Sequence, residues 1–222
     1  MKDFPLVSCI MPTYCRPTYA RCAVMFFNKQ KYPNKELIII DDSPLKSKFP
    51  KQHNITVIHL TKQCTIGHKR NVGIDHSRGY IFINWDDDDY HCPTRIMYQV
   101  KPLLNNLCDI TVLYKCIYFD EASRTFYKTS QEDENRIWYN GWICGTLACS
   151  KKLWKLIKFK RTFIGEDKEF LLKSKKHNAV IMPMKNTWRY AVNRHNNNTF
   201  HIPFTKHVPI TPTQNALKAM TT

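Results

Sequence analysis

Tyr80-Ile81-Phe82-Ile83-Asn84-Trp85-Asp86-Asp87-Asp88-Asp89-Tyr90 runs from an apolar strand straight into four consecutive carboxylates. Adjacent carboxylates repel, and each raises the pKa of the next unless a cation neutralises them. The chain has 222 residues and a formal net charge of +16 at pH 7. In such a chain, a strand end that concentrates negative charge has a use other than solubility. Hard divalent ions such as Mg²⁺ and Mn²⁺ take oxygen ligands and sit between one or two carboxylates and a substrate's phosphates. The junction thus has the composition of a metal–diphosphate site at a strand's carboxyl end. Taken alone it reads first as an acidic turn whose Asp caps the next helix, since charge blocks are usually solvated. The rest of the chain decides between the two.

Working outward, Leu6–Pro12 reads as a buried strand, and Pro17 suits the first turn of a helix running to about Gln30. Glu36–Ile40 is a second strand, Ile55–Leu60 a third, and Tyr80–Trp85 the fourth. Between the last two, Gly67–Ser77 has the pattern of a helix, and Pro93 opens another to about Asn105. This alternation predicts an α/β fold with a doubly wound, mainly parallel sheet. Ligands of such sheets bind outside the strand carboxyl ends. Thr13-Tyr14, Asp41-Asp42 and Asp86–Asp89 all lie at such ends, so they should converge in space. Beyond, Ile110–Phe119 and Thr125–Thr129 read as strands, Gln131–Asn135 as an acidic loop, and Lys151–Ile157 and Glu166–Lys176 as helices. The expectation is one domain over 1–222. It would comprise a nucleotide half to about 106, an acceptor half with a smaller antiparallel portion over about 107–204, and a peripheral tail over 205–222.

At 43% hydrophobic and 13% aromatic residues, the chain can bury a core. Its nine cysteines include no Cys-x-x-Cys pair, which argues against a zinc module or disulfide framework and suits a reducing compartment. Leu6 to Met11 is too short for a leader core, and no run approaches the ~20 apolar residues of a spanning helix. These features point to a soluble, cytoplasmic protein. The excess of 34 Lys and Arg over 18 Asp and Glu implies anionic partners without choosing among nucleotide phosphates, nucleic acid and anionic lipid.

Six segments occur in order over about residues 6–199: Val7-Ser8-Cys9-Ile10-Met11-Pro12-Thr13-Tyr14-Cys15-Arg16-Pro17, then Glu36 to Ser43, Gly67 to Ile74, the Asp cluster, Gly165 to Phe170, and Arg194 to Thr199. Together they resemble the family-2 glycosyltransferases of GT-A fold, inverting enzymes of the metal-dependent Asp-x-Asp type. The resemblance implies that Pro12, Thr13, Tyr14 and Arg16 form the turn that holds the nucleotide base, with Cys15 where Asn is common. Asp42 matches the residue that accepts a hydrogen bond from a uracil imide, and Arg70 would face the nucleotide. Asp86, Asp87 and Asp88 fall on the Asp-x-Asp motif. Asp88 is the direct metal ligand in this alignment. Asp86 contacts the ribose or the metal's water shell, Asp87 the nucleotide, and Asp89 lies behind, with a slip of one residue left open. His195 would complete coordination of Mn²⁺ or Mg²⁺ through a neutral imidazole nitrogen.

Asp167 matches the general base, with Glu166 beside it on the acceptor side. Trp142, with Trp138 and Gly141, offers an aromatic face for an acceptor sugar. The expected reaction moves a sugar from a nucleotide-diphosphate donor, uridine-linked on this match, to a hydroxyl of a glycan, glycoprotein or lipid-linked acceptor. The basic stretch Lys151 to Arg161 has the composition of a membrane contact, although such a stretch is more often a solvated helix face. Two rivals stand beside this reading. A metal-dependent nucleotidyltransferase would also use clustered Asp, but no Gly-rich phosphate loop is present. A basic nucleic-acid-binding module accounts for the charge but not for carboxylates at three strand ends, so no nucleic-acid partner is expected.

Overall fold

This computed structural model describes residues 4–129, 141–196, 198 and 207–212. Strands β1 (Val7–Thr13), β2 (Lys35–Asp41), β3 (Ile55–His59) and β4 (Ile81–Asn84) are parallel neighbours in the order β3-β2-β1-β4. The runs of β1, β2 and β4 are apolar without alternation because both sheet faces are covered. Val7, Cys9, Met11, Leu37, Ile39, Ile81 and Ile83 pack on one face, and Ile10, Ile38, Ile40 and Phe82 on the other. Helices α1 (Pro17–Asn28) and α3 (Arg95–Leu104) cover the first face through Ala23, Phe27, Ile96 and Val100. Helices α2 (Ile66–His76), α4 (Lys151–Ile157) and α5 (Glu166–Lys176) cover the second through Ile74, Trp154, Phe170 and Leu171. The helices and strands expected over the first half fall within a residue or two of these bounds.

The second half departs further from expectation. The predicted strand Ile110–Phe119 is two strands, β6 (Ile110–Tyr114) and β7 (Ile117–Asp120). Lys115 between them adopts φ 69°, a left-handed bend that ends one strand and starts the next in a different sheet. Strand β9 (Trp142–Ser150) has no counterpart in the sequence reading; it inserts antiparallel between β4 and β6, and β10 (Ile181–Lys185) closes the edge beyond β6. Pro183 is tolerated in β10 because that strand lies at an edge. The central sheet therefore has seven strands, β10-β6-β9-β4-β1-β2-β3, with β9 alone reversed.

A second sheet orders β5 (Tyr90–His91), β7, β8 (Thr125–Thr129), β11 (Tyr190–Arg194) and β12 (His207–Ile210) as β12-β8-β7-β11-β5. It begins directly after the Asp cluster, and the β5–β11 pairing, Tyr190 opposite His91, lays β11 against it. At the cluster itself the β1–β4 ladder ends at Ile10–Asn84. Pro12, lacking an N–H, comes just after, and the strands part there. The acidic loop Gln131–Asn135 and Trp138 lie outside the described residues, as does most of the tail. No helix among the described residues is long and apolar enough to cross a membrane, and all nine cysteines are free thiols.

Candidate active site

The parting of β1 and β4 opens a cavity of about 800 Å³ at the carboxyl end of the parallel strands, the position that doubly wound sheets use for ligands. Pro12, Tyr14, Arg16, Lys69, Arg70, all four residues of the Asp cluster, Glu166 and Asp167 line it. Residues far apart in the chain thus meet in one cleft, as the strand-end argument requires.

Two guanidinium groups stand against the four carboxylates. Arg16 donates from Nη2 to Asp87 Oδ1 at 2.6 Å and from Nη1 to Asp88 Oδ2 at 2.5 Å. Arg70 donates to Asp86 Oδ1 and Glu166 Oε1, each at 3.1 Å. Thr13 donates its hydroxyl to Asp87 Oδ2 at 2.6 Å, so it sits behind the cluster and orients it. Asp89 accepts from the Tyr190 hydroxyl and from the Asn193 N–H, which ties the cluster to β11.

Burial pushes the Asp87 carboxyl up to about 7, with the Asp88 charge adding to it. Burial, then Asp88 and Asp86, push Asp89 well above the carboxylate range. Asp88 differs: burial raises it, but the hydrogen bond with His195 and the charge of Arg16 hold it below its ordinary value. Glu166 is pushed to about 8 by burial and by Asp167, against the pull of Arg70.

Asp88 is thus the carboxylate kept ionised, and His195 stands beside it as expected, together with Arg16 and Asn198, which were not expected there. His195 Nε2 lies 3.2 Å from Asp88 Oδ2, with the imidazole stacked on Tyr19 at 4.2 Å. Asn198, in the same late segment, reaches Asp88 Oδ2 at 3.4 Å. Among the described residues, no group of three or more His, Cys, Asp or Glu is arranged to hold an ion by protein atoms alone. The donor set nonetheless fits a hard or borderline divalent ion. It offers one ionised carboxylate and one imidazole, in a cluster whose four acids outnumber its two bases. Substrate diphosphate oxygens supply the remaining positions in sites of this kind.

On the opposite wall, Gly165 adopts φ 78° and starts α5, placing Glu166 and Asp167 in its first turn, where negative charge suits the helix dipole. Asp167 Oδ1 accepts from the Lys168 N–H at 2.7 Å. A Cβ placed on Gly145 of β9 would sit 2.9 Å from Asp86 Oδ2 and 3.6 Å from Asp167 Oδ2. The acid cluster and the expected base therefore reach the same small volume.

Three residues expected at the nucleotide or the acceptor do not line the cavity: Thr13, which lies behind the cluster, Asp42 and Trp142. Asp42 does not line the cavity, and its side chain has no exposed surface. Its oxygens accept from Lys69 Nζ at 2.8 Å and from the Cys64 N–H at 2.7 Å. It holds Lys69, which also donates to the Thr13 carbonyl at 3.1 Å, rather than presenting itself to a base. Trp142 is 9% exposed and packs in the core under Lys175, so its ring is not an acceptor platform; Ile143, Cys144 and Gly145 line the cavity instead. Sequence reasoning missed Tyr190 and Gly145, because both lie on strands that local pattern did not reveal. Asn198 belongs to the late segment Arg194 to Thr199, where local pattern alone assigns it no role.

The model of glycosyl transferase family 2 matches residues 8–166, well over half of the chain. The chain belongs to glycosyl transferase family 2. An uncharacterized glycosyltransferase of Rickettsia typhi is 32% identical over 132 residues, covering 55% of this chain and 40% of that protein. The chain thus spans about two fifths of that relative's length. Among solved structures, S. aureus TarS 1-349 in complex with UDP-GlcNAc has a TM-score of 0.68 at 20% identity, covering 87% of this chain and 60% of that one. The mannosyltransferase PcManGT of Pyrobaculum calidifontis, in complex with GDP-Man and Mn²⁺, has a TM-score of 0.62 at 16% identity, covering 83% and 56%. These two likenesses place this family member in the GT-A fold.

Proposed function

We propose that the chain transfers a sugar from a nucleotide-diphosphate donor to an acceptor hydroxyl, with inversion at the anomeric carbon. The observation that carries this reading is the convergence of Asp86 and Asp167 on Gly145. It supports a reading in which the cluster meets the donor's phosphates and Asp167 accepts a proton across one reacting volume.

The donor's diphosphate lies against Arg16, Arg70 and the Asp cluster, and its nucleoside toward Tyr14, Lys69, Gln63 and Cys64, which also line the cavity. Asp88 and His195 would hold a Mn²⁺ or Mg²⁺ ion, which when bound neutralises charge on the departing diphosphate. Asp167 accepts the proton of the acceptor hydroxyl at Oδ2, and the oxygen attacks the anomeric carbon as the bond to phosphate breaks. Glu166, fixed by Arg70, holds the base in place. A uridine-linked donor is supported by the UDP-GlcNAc complex of TarS, and a guanosine-linked one by the GDP-Man complex of PcManGT.

The test is nucleoside-diphosphate release from a panel of UDP- and GDP-sugars with hydroxyl acceptors and Mn²⁺. The native chain should turn over one donor class, and chelation should reduce its donor binding. Asp167→Asn should lower transfer by on the order of 10²–10⁴-fold while retaining donor binding. Native rates in that variant would remove Asp167 from the role.

A further inference from the structure

We propose that the segment 158–165, together with the outer face of α4, docks on an anionic membrane surface. The segment bridges α4 to α5 at the mouth of the cavity and is fixed from within. Phe159 is 3% exposed and stacks on Phe170 at 4.5 Å. Asn71 of α2 donates to the Phe159 carbonyl at 2.7 Å and accepts from the Phe159 N–H and Trp154 Nε1, each at 2.9 Å. The Gly67 N–H donates to the Thr162 carbonyl at 3.2 Å.

This fixed backbone turns Phe163 and Ile164 outward at 51% and 57% exposure, and Leu156 of α4 is 70% exposed. Scattered exposed apolar residues are ordinary. Phe163 and Ile164 are consecutive, and Leu156 with exposed Lys152, Lys155, Lys160, Arg161 and Lys168 belongs to the same stretch of chain, 152–168. The nearby acids do not offset that charge. Glu166 is buried on Arg70, Asp167 faces the cavity, and Glu169 pairs with Lys173 at 3.6 Å. The neighbouring His68 is pushed below its ordinary pKa by burial and then by Arg161 and Lys62, which registers the positive potential there.

An apolar crest with a cationic collar matches the two demands of an anionic interface. Apolar side chains enter the acyl boundary, and the cations hold the headgroups. A nucleic-acid backbone would satisfy the cations but leave Leu156 and Ile164 in water. Phe163 and Ile164 also line the cavity, close in sequence to Asp167. A membrane seated there would deliver a lipid-linked hydroxyl to the base. That consequence for the acceptor rests on the transfer reading above, whereas the docking does not.

Vesicle co-sedimentation tests the docking with no sugar present. The chain should bind vesicles containing anionic phosphatidylglycerol and not pure phosphatidylcholine. Lys160→Glu with Arg161→Glu, and separately Phe163→Ser with Ile164→Ser, should each weaken binding by roughly tenfold or more. Lys31→Glu with Lys101→Glu makes the same change in net charge on exposed residues of the opposite, α1–α3 side, and should leave most of the binding. A Phe163→Trp variant should show a blue shift on vesicle addition and quenching by brominated acyl chains. Equal loss in the two charge variants would reduce the effect to net charge and overturn the proposal. So would the absence of any added quenching when the vesicle-bound Phe163→Trp variant is compared with the native chain, or an oligonucleotide that binds through Lys160 and Arg161 while vesicles do not.

Discussion

Arg70 donates its Nε–H to Glu166 at 3.1 Å while its Nη2 reaches Asp86 at the same distance, so one side chain of α2 spans the acid cluster and the first turn of α5. Both partners in the Arg70–Glu166 pair are about 5% exposed or less at the side chain. The spacing between the phosphate-end carboxylates and Asp167 is therefore set by a buried guanidinium.

Removing that side chain should be costly. Breaking a buried ion pair leaves the partner uncompensated and costs about 3–5 kcal/mol. Glu166 is already pushed up to about 8 and relieves part of the cost by taking a proton. Arg70→Ala should then lose stability near the lower end of that range at pH 6, and more at pH 9, where Glu166 must ionise. Urea unfolding at the two pH values reads this. An equal deficit at both would mean that Glu166 does not depend on Arg70.

Asp42 leads to an expectation different from that of a base-reading carboxylate. It is enclosed behind Lys69 and Cys64, so Asp42→Ala should release Lys69 and the residue 63–64 wall together. UDP and CDP affinities should fall by similar factors, leaving their ratio unchanged. Each lost buried hydrogen bond is worth about 1–3 kcal/mol. Calorimetric titration with both nucleotides measures the ratio, and a selective loss of UDP would restore Asp42 to direct contact.

These corrections mark where the sequence stops being informative. The parallel half was legible because Leu37 to Ile40 and Ile81 to Ile83 bury both faces, which writes continuous apolar runs into the chain. That Asp86–Asp88, Arg16, Glu166 and Asp167 would meet in one cleft was legible because each sits at a strand or helix end, where local pattern fixes position, whereas Arg70 lies inside α2 and reaches the cleft from its second turn. Strand β9 was not, since its pairing with β4 and β6 is long-range and its Gly145 and Ala148 carry weak strand preference. Tyr190 went unseen with β11 for the same reason. The burial of Asp42 and Trp142 is decided by what packs over them, Cys64 and Lys69 in one case and Lys175 in the other.

Stability without metal should peak in mild acid. Asp87 at about 7 and Glu166 at about 8 have folded pKa values above those of the unfolded chain. Their ionised forms are disfavoured in the fold, so stability falls as pH rises from their unfolded values of about 4 and levels off above the folded values of about 7 and 8. Glu36 has the opposite sign. Burial raises it, but hydrogen bonds from the Arg78 N–H at 2.6 Å and the Ser8 hydroxyl at 2.7 Å, with the Arg78 side chain, hold it below its ordinary value. Its contribution is present above the unfolded value of about 4.3 and is lost as pH falls through the depressed folded value. Melting temperatures from pH 3 to 9 should show both limbs. Glu36→Gln should flatten the acid limb, and Mn²⁺ with UDP should flatten the alkaline one.

Gly145 offers the most direct test of the reacting volume. It lies within β9 at a negative φ that an alanine can adopt, and removing a glycine from a strand is worth about 0.5–1 kcal/mol in favour of the fold. An alanine Cβ would nonetheless lie 2.9 Å from Asp86 Oδ2 and 3.6 Å from Asp167 Oδ2. The Asp86 carboxylate would have to swing, loosening its contacts with Arg70 at 3.1 Å and Tyr190 at 3.3 Å. The methyl would also occupy space between the cluster and the base. Gly145→Ala should therefore keep or slightly raise the unfolding midpoint while sugar transfer falls at least tenfold, since a misplacement of about 1 Å can cost on the order of 10²-fold. Stability and activity move in opposite directions, which separates a blocked site from a damaged fold. Unchanged transfer in a fully folded variant would show that the reaction does not pass between Asp86 and Asp167.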